Sequence, residues 1–379
     1  MTLDPIELLQ QLVAINSVNP DLVPGGVGEA AIADFCVGWF LAHGFEVHRL
    51  EATPGRPSIV GIARGLGGGK SLMFNGHFDT VTLAGYDGDA LSGKIKDGKL
   101  YGRGSFDMKG GVAAMMVAAA RAKAMNLRGD ILVACVADEE FASKGTEEVV
   151  AKFTADAAIV TEPSHLEITV AHKGFVWFDV IVKGRAAHGS RPELGVDAIV
   201  KAGKFLVALE AYDLRLRANP SHPLLKSGSV HASIISGGEE LSSYPAFCRI
   251  SLERRTVPGE STASVTADLE AMIAEIKAND PAFEAEITPG LERVPFQIGE
   301  DATIVKAVDA VAAKHLGRKP TRRAEPFWTD CAILQSAGIP CLMFGVDGGG
   351  AHAATEWATV TSVETLADIL TDVAVTICS

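Results

Sequence analysis

Three short apolar runs in this chain each end on residues that do not belong in a core. Ser71–Phe74 leads into Gly76-His77-Phe78-Asp79, Ile131–Val136 into Asp138-Glu139-Glu140, and Ala157–Val160 into Thr161-Glu162. Runs this short, rich in apolar and β-branched residues, read as buried strands, and Ser58–Ile62 is a fourth. Between Ser71–Phe74 and Ile131–Val136 lies an Ala/Met-rich helical stretch, Gly111–Ala124, whose Ala113, Ala114 and Ala118–Ala120 let it approach a sheet closely. Strands alternating with helices lead us to expect an α/β fold, a mostly parallel, doubly wound sheet covered on both faces. Open sheets of this kind bind ligands beyond the carboxyl ends of their strands. That is where the histidine and the acids would gather.

After Pro163 the texture changes. Leu166–Val170 and Phe175–Lys183 alternate in the half-buried strand pattern, followed by a helix over Val196–Tyr212 and strands near Ser229–Ser236 and Ala246–Arg254. A second helix over Thr262–Lys277 and a strand at Phe283–Thr288 complete an α+β order. The βα texture then returns, with helix Thr303–Leu316 closed by Gly317, helix Asp330–Ala337, strand Cys341–Gly345 and helix Val363–Cys378. The expected organisation is a discontinuous catalytic domain, residues 1–166 and 292–379, interrupted by an inserted domain, 167–291: an antiparallel sheet with two helices.

A formal net charge of −13 argues against nucleic acid or an anionic membrane as partner. No apolar run approaches the ~20 residues of a membrane-spanning helix. Asp4-Pro5-Ile6-Glu7 reads as a helix start, with Ile6, Leu9 and Val13 on one face, and lacks the positive region of an export signal. A cytoplasmic address is therefore expected. The six cysteines are scattered without a CxxC pair and read as reduced, packed thiols. The basic cluster Arg318-Lys319-Pro320-Thr321-Arg322-Arg323 reads as a solvated loop.

Taken singly, each polar residue has an ordinary reading. Asp107, in the Gly-flanked turn Gly102 to Gly111, could simply cap the helix that follows. Glu139 and Glu140 could be a solvated acidic loop, His77 a hydrogen-bonded strand-end histidine, Glu162 a surface acid and His352 a loop histidine. Together, two histidines and several carboxylates have the composition of a two-metal hydrolytic site. Adjacent acids are costly unless a cation neutralises them, so one glutamate could ligate while its neighbour shuttles a proton. Asp79, two residues after His77, could orient that ring. The run Asp347-Gly348-Gly349-Gly350-Ala351 suits exposure of backbone N–H groups, from Gly349 and Gly350, toward an anionic substrate. Gly67-Gly68-Gly69-Lys70-Ser71 is no phosphate loop, because Arg64 stands where its first glycine belongs and a strand follows it. Nor is there a GxSxG elbow.

In this order the motifs Gly76-His77-Phe78-Asp79-Thr80-Val81, Gly102-Arg103-Gly104 through Asp107-Met108-Lys109-Gly110-Gly111, Asp138-Glu139-Glu140, Thr161-Glu162-Pro163, Ala187-His188-Gly189-Ser190 and Gly350-Ala351-His352 resemble one metallohydrolase family. It is the family of acetylornithine deacetylase, succinyl-diaminopimelate desuccinylase, aminoacylase and carboxypeptidase G, and the resemblance spans essentially the whole chain. It implies two Zn²⁺ ions, with Co²⁺ or Mn²⁺ as substitutes. By that likeness His77 and Glu162 hold one ion, Glu140 and His352 the other, and Asp107 bridges them. Asp79 orients His77, and Glu139 is the general base. The inserted domain is implied to be a lid and homodimer interface, with His188 donating to the oxyanion in the partner's site. Arg255, otherwise a surface arginine, is implied to bind a substrate carboxylate. Ser242 departs from the pattern, standing where many members carry an asparagine.

The expectation is a zinc-dependent amidohydrolase acting on a small-molecule N-acyl amino acid, of the acetylornithine deacetylase type. A desuccinylase or a carboxypeptidase or dipeptidase of the same family is the alternative, and a non-catalytic metal-binding relative a remote one.

Overall fold

A computed structural model describes residues 3–379, which cluster into two compact units. The first comprises the chain up to Val170 together with Ile298–Arg323 and Thr329–Ser379; the second comprises Ala171–Gln297 and Ala324–Trp328.

In the first unit the strand order is Glu46–Leu50, Ser58–Ala63, Ile131–Val136, Leu72–His77, Ala157–Val160, Cys341–Met343, followed by the part of Ile168–His172 up to Val170. Pairing is parallel from Ile131–Val136 across to Cys341–Met343 and antiparallel on either side. The α/β architecture is the expected one, but the sheet is mixed, with its parallel ladder confined to the centre. Ser58–Ala63 is buried at every position, as a central parallel strand would be, so its pattern carries no sign of its direction.

Alternate residues of these strands, among them Leu72, Phe74, Ile131, Val133, Cys135 and Ile159, join one core cluster. That cluster includes the buried faces of helices Pro5–Val13, Ala30–Ala42, Gly110–Lys123, Thr303–Leu316 and Val360–Cys378. The intervening residues face the other side, where helices Lys144–Val150 and Cys331–Ser336 pack on the sheet. Asp4 caps the first helix as its sequence implies, accepting from the backbone of Ile6 at 2.8 Å. The helix Ala30–Ala42 escapes the sequence reading although Ile32, Ala33, Cys36, Trp39 and Phe40 mark its buried side.

A small antiparallel sheet, in the order Gly348–Gly349, Trp357–Thr359, Lys99–Tyr101, Lys94–Lys96, pins two loops of this unit. Trp357 pairs with Tyr101 and Gly349 with Trp357, so the loop that follows Tyr101 is fastened to the one spanning 350–356. The glycine run expected to bind an anion serves first to make this hairpin.

The second unit is a four-stranded antiparallel sheet in the order Ser229–Gly237, Phe247–Thr256, Gly174–Lys183, Glu284–Arg293. Helices Ala198–Ala218 and Thr262–Asn279 cover one face, closing over Val176, Phe178, Val180, Val182, Ile250 and Leu252. One expectation is corrected: Arg322–Glu325 is a strand beside Ile168–His172, not part of a solvated loop. Its first charge is neutralised, Arg322 donating to Glu300 at 2.7 Å and Asp309 at 2.9 Å. All six cysteines are buried and unpaired, and among the described residues no helix is long and apolar enough to cross a membrane.

Candidate active site

Strand ends deliver most of the site. His77 closes Leu72–His77, and Glu139-Glu140 and Glu162 follow Ile131–Val136 and Ala157–Val160 at the same edge of the parallel ladder. Close packing behind them requires small residues. A Cβ on Gly111 would lie 2.1 Å from the carbonyl oxygen of Thr161, and one on Gly345 2.1 Å from that of Glu162. The Asp107 turn and the Glu162 strand end therefore meet backbone to backbone.

The buried His77 ring is the hub. Its Nε2 lies 3.2 Å from Asp107 Oδ1, 3.4 Å from Glu162 Oε1 and 3.9 Å from Glu139 Oε2. On its other side Nδ1 is 3.0 Å from the carbonyl oxygen of Asp79 and 3.5 Å from that residue's carboxylate. The second imidazole comes from His352, whose Nε2 stands 3.3 Å from Asp107 Oδ2 and 3.0 Å from Glu140 Oε2. The two oxygens of Asp107 thus face different histidines.

The Asp79 carboxylate does more than stand near His77. It accepts from the Asn19 amide at 2.8 Å and from the backbone N–H groups of Glu139 and Glu140, each at 3.2 Å, fixing both glutamates. Asp138, just before them, is buried in a left-handed conformation and is held by Arg56 at 2.8 Å and Asn19 at 3.2 Å. Arg56 also grips the buried Glu29 through two contacts of 2.7 Å. Lys109, wholly buried, donates to the carbonyl oxygens of Leu12 and Ile15, and burial depresses it to about 7.

The electrostatics are those of a crowded acidic site. Burial, with the Asp107 charge behind it, raises Glu140 to about 7; burial raises Glu162 to about 7 against the pull of His77. Burial and then Glu162 push Glu139 well above the carboxylate range. Asp107 goes the other way: burial opposes its ionisation, but donation from His352 and His77 outweighs that. Its carboxylate and that of Glu140 lift His352 to about 10.

This donor set suits a divalent cation pair. One ligand atom each from His77, Glu139 and Glu162 lie within 4.8 Å of one another, as do atoms from His77, Asp107 and Glu140. Glu140 Oε1 is buried without a partner among the described residues. Carboxylates that are costly to ionise together, beside an unfilled acceptor, are what a cation would relieve.

Residues 73–376 match the model of Peptidase family M20/M25/M40. The chain belongs to that family. It is 30% identical to acetylornithine deacetylase of Myxococcus xanthus, over 83% of each chain. It is also 26% identical to N-formyl-4-amino-5-aminomethyl-2-methylpyrimidine deformylase of Bacillus subtilis, over 98% of this chain and 95% of the relative. Among solved structures, the aminopeptidase PepT of Bacillus cereus superposes over the full length of both chains with a TM-score of 0.81 at 20% identity, which speaks to the fold. As an M20 member the protein is a hydrolase with a histidine–carboxylate site suited to metal.

Of the remaining expected residues, His188 and Arg255 belong to the second unit and Gly349 and Gly350 to the first. In the second unit His188 is exposed, its Nδ1 2.8 Å from Ser190 Oγ, and it bridges Ser243, so the Ser242 loop runs alongside. Arg255, on the Phe247–Thr256 strand, donates to Glu253 at 2.7 Å and lies over the Phe175 ring. Its neighbour Arg254 is the buried one, bonded to Glu260 at 2.6 Å. In the first unit Gly350 turns the chain out of the hairpin with φ of +80°, two residues before His352. Sequence reasoning missed Asn19, Glu29, Arg56 and Glu356. Their only signal is spatial, since each meets the site through contacts far apart in the chain.

Proposed function

We propose that this M20 hydrolase uses two metal ions to remove the acyl group from an N-acyl amino acid. The observation that carries the reading is Asp107, with one oxygen toward His77 and the other toward His352. A carboxylate so placed can bridge two ions, with His77 and Glu162 completing one site and Glu140 and His352 the other. Zn²⁺ is the proposed occupant, with Co²⁺ or Mn²⁺ as substitutes. When bound, the pair polarises the scissile carbonyl and makes water a nucleophile near neutral pH.

The protein's own residues do the rest. Glu139, at 3.9 Å from His77 Nε2 and held by Asp79 through its backbone, takes the proton of the attacking water. Its raised proton affinity suits it to return that proton to the leaving amine. The His77 ring is kept in one orientation by Asp79. Arg255 is proposed to pair with the substrate carboxylate, and the Gly349 and Gly350 backbone to lie along it.

The deacetylase likeness, at 30% identity, favours an acetyl group. A formyl group is the second reading, because the deformylase likeness spans nearly the whole chain. A panel of N-acetyl, N-formyl and N-succinyl amines and dipeptides, with zinc-loaded protein, decides between them. Preference for a dipeptide overturns the deacylase reading. Glu139→Gln is expected to abolish turnover while metal content survives.

A homodimer through the second unit is also proposed. Its edge strand exposes Ile234 and Ile235, and its helix Ala198–Ala218 exposes Val200, Val207 and Leu214 at a seven-residue spacing. Such a stripe beside an unpaired edge is a liability in a monomer. In that dimer His188 is proposed to serve the partner's site.

A further inference from the structure

Two residues outside the metal-ligand set form a reciprocal clasp. Glu356 stands four positions after His352, and Arg103 four positions before Asp107. Glu356 Oε1 accepts from the backbone N–H groups of Phe106 and Asp107, both at 3.0 Å. Its Oε2 accepts from Gly104 N at 3.0 Å and from the Arg103 guanidinium at 2.9 Å. Arg103 returns the contact, donating to the carbonyl oxygen of Ala353, next to His352, at 2.9 Å and to that of Thr82 at 3.0 Å. Both side chains are buried, 3% and 1% exposed. Each loop is thereby tied to the other within a residue of its own site group.

We propose that the Arg103–Glu356 pair is the positioning device that sets Asp107 against His352, and so sets the spacing of the two ions. This rests on the dimetal reading above. Glu356 is not a ligand, because four donors already fill both its oxygens. Its bonds to two successive N–H groups fix the peptide plane that leads into Asp107, while Arg103 fixes the Ala353–Ala354 peptide, one residue beyond His352. A spacing set by backbone contacts survives side-chain motion at the mouth, where His352 is half exposed.

The test uses Mn²⁺ alone as probe, on full-length metal-stripped protein. Wild type is expected to take up two Mn²⁺ ions and to give the electron paramagnetic resonance signal of an exchange-coupled pair. In Glu356→Gln one amide hydrogen faces N–H donors, and in Arg103→Lys the reach to Ala353 is lost. Both variants are expected to bind the second ion at least about tenfold more weakly, the usual scale for removing a ligand's supporting contact. The coupled signal should give way to that of isolated Mn²⁺. Circular dichroism establishes folding, and if Glu356→Gln does not fold, Arg103→Lys carries the test. A folded variant with lower thermal stability but the wild-type pair signal and affinity overturns the assignment. Wild type binding fewer than two ions overturns the dimetal reading itself, and the assignment with it.

Discussion

Asp79→Asn separates positioning from ligation, because Asp79 touches the glutamates only through their backbone. Its Oδ2 accepts from Asn19 at 2.8 Å and Glu140 N at 3.2 Å, and its Oδ1 from Glu139 N at 3.2 Å. An asparagine keeps one oxygen. In its better orientation that oxygen retains the two Oδ2 contacts, and the new amide N–H group faces the N–H of Glu139. The lost contact was a hydrogen bond to a charged group, worth about 1.5–3 kcal/mol, and the two that remain fall to neutral strength of about 1 kcal/mol each. Summed in this wholly buried site, the loss is about 2.5–7 kcal/mol. At about 1.4 kcal/mol per decade, kcat/KM should fall roughly 10²–10⁵-fold. The assay is hydrolysis of an N-acetyl amino acid by metal-replete variant and wild type, with a thermal melt on each. A folded, metal-replete variant within about threefold of wild type would refute the claim that Asp79 holds the Glu139-Glu140 turn.

Arg56→Met should destabilise the protein by about 3–5 kcal/mol, since it strands the buried carboxylates of Glu29 and Asp138. Burial already raises the affinity of Glu29 for its proton, so the penalty should grow as pH rises; a loss under about 1 kcal/mol by denaturant titration contradicts this. In the metal-free protein Glu140 and Glu162, near 7, and His352, near 10, all titrate above their unfolded values. Their contribution is fully present below the unfolded values and is lost as pH rises through the folded ones. The metal-free melting temperature should therefore fall from about pH 5 up to about pH 10, while apparent Mn²⁺ affinity rises and uptake releases protons. Calorimetry in buffers of different ionisation heat checks the release, and pH-independent affinity rules it out. Val207→Glu combined with Ile235→Glu should shift sedimentation from dimer to monomer; a wild type that sediments as a monomer removes the proposed interface.

The strands that carry the candidate ligands were legible because buried parallel strands write continuous apolar runs, and the polar candidates follow within a few residues. Direction was not legible: Ser58–Ala63 is buried throughout yet runs antiparallel to both its neighbours. The ligand candidates were readable as local motifs, whereas the residues that brace them were not. Glu356 meets Phe106 across 250 positions and Arg56 meets Asp138 across 82, and neither acid nor base carries a local pattern announcing its partner. The Gly348–Gly350 run has a structural role that its pattern did not announce. Its flexibility serves a hairpin first, because Gly349 pairs with Trp357 and Gly350 turns the chain toward His352. Charge misled at Arg322–Glu325, where salt bridges within the fold let a basic segment form a strand.

The most direct test of the central claim is metal-dependent turnover. Protein stripped with a chelator and dialysed should hydrolyse no N-acetyl amino acid, and activity should return in proportion to added Zn²⁺, saturating near two equivalents per chain. Full hydrolysis by the stripped protein, or saturation at a single equivalent, would contradict the two-metal account.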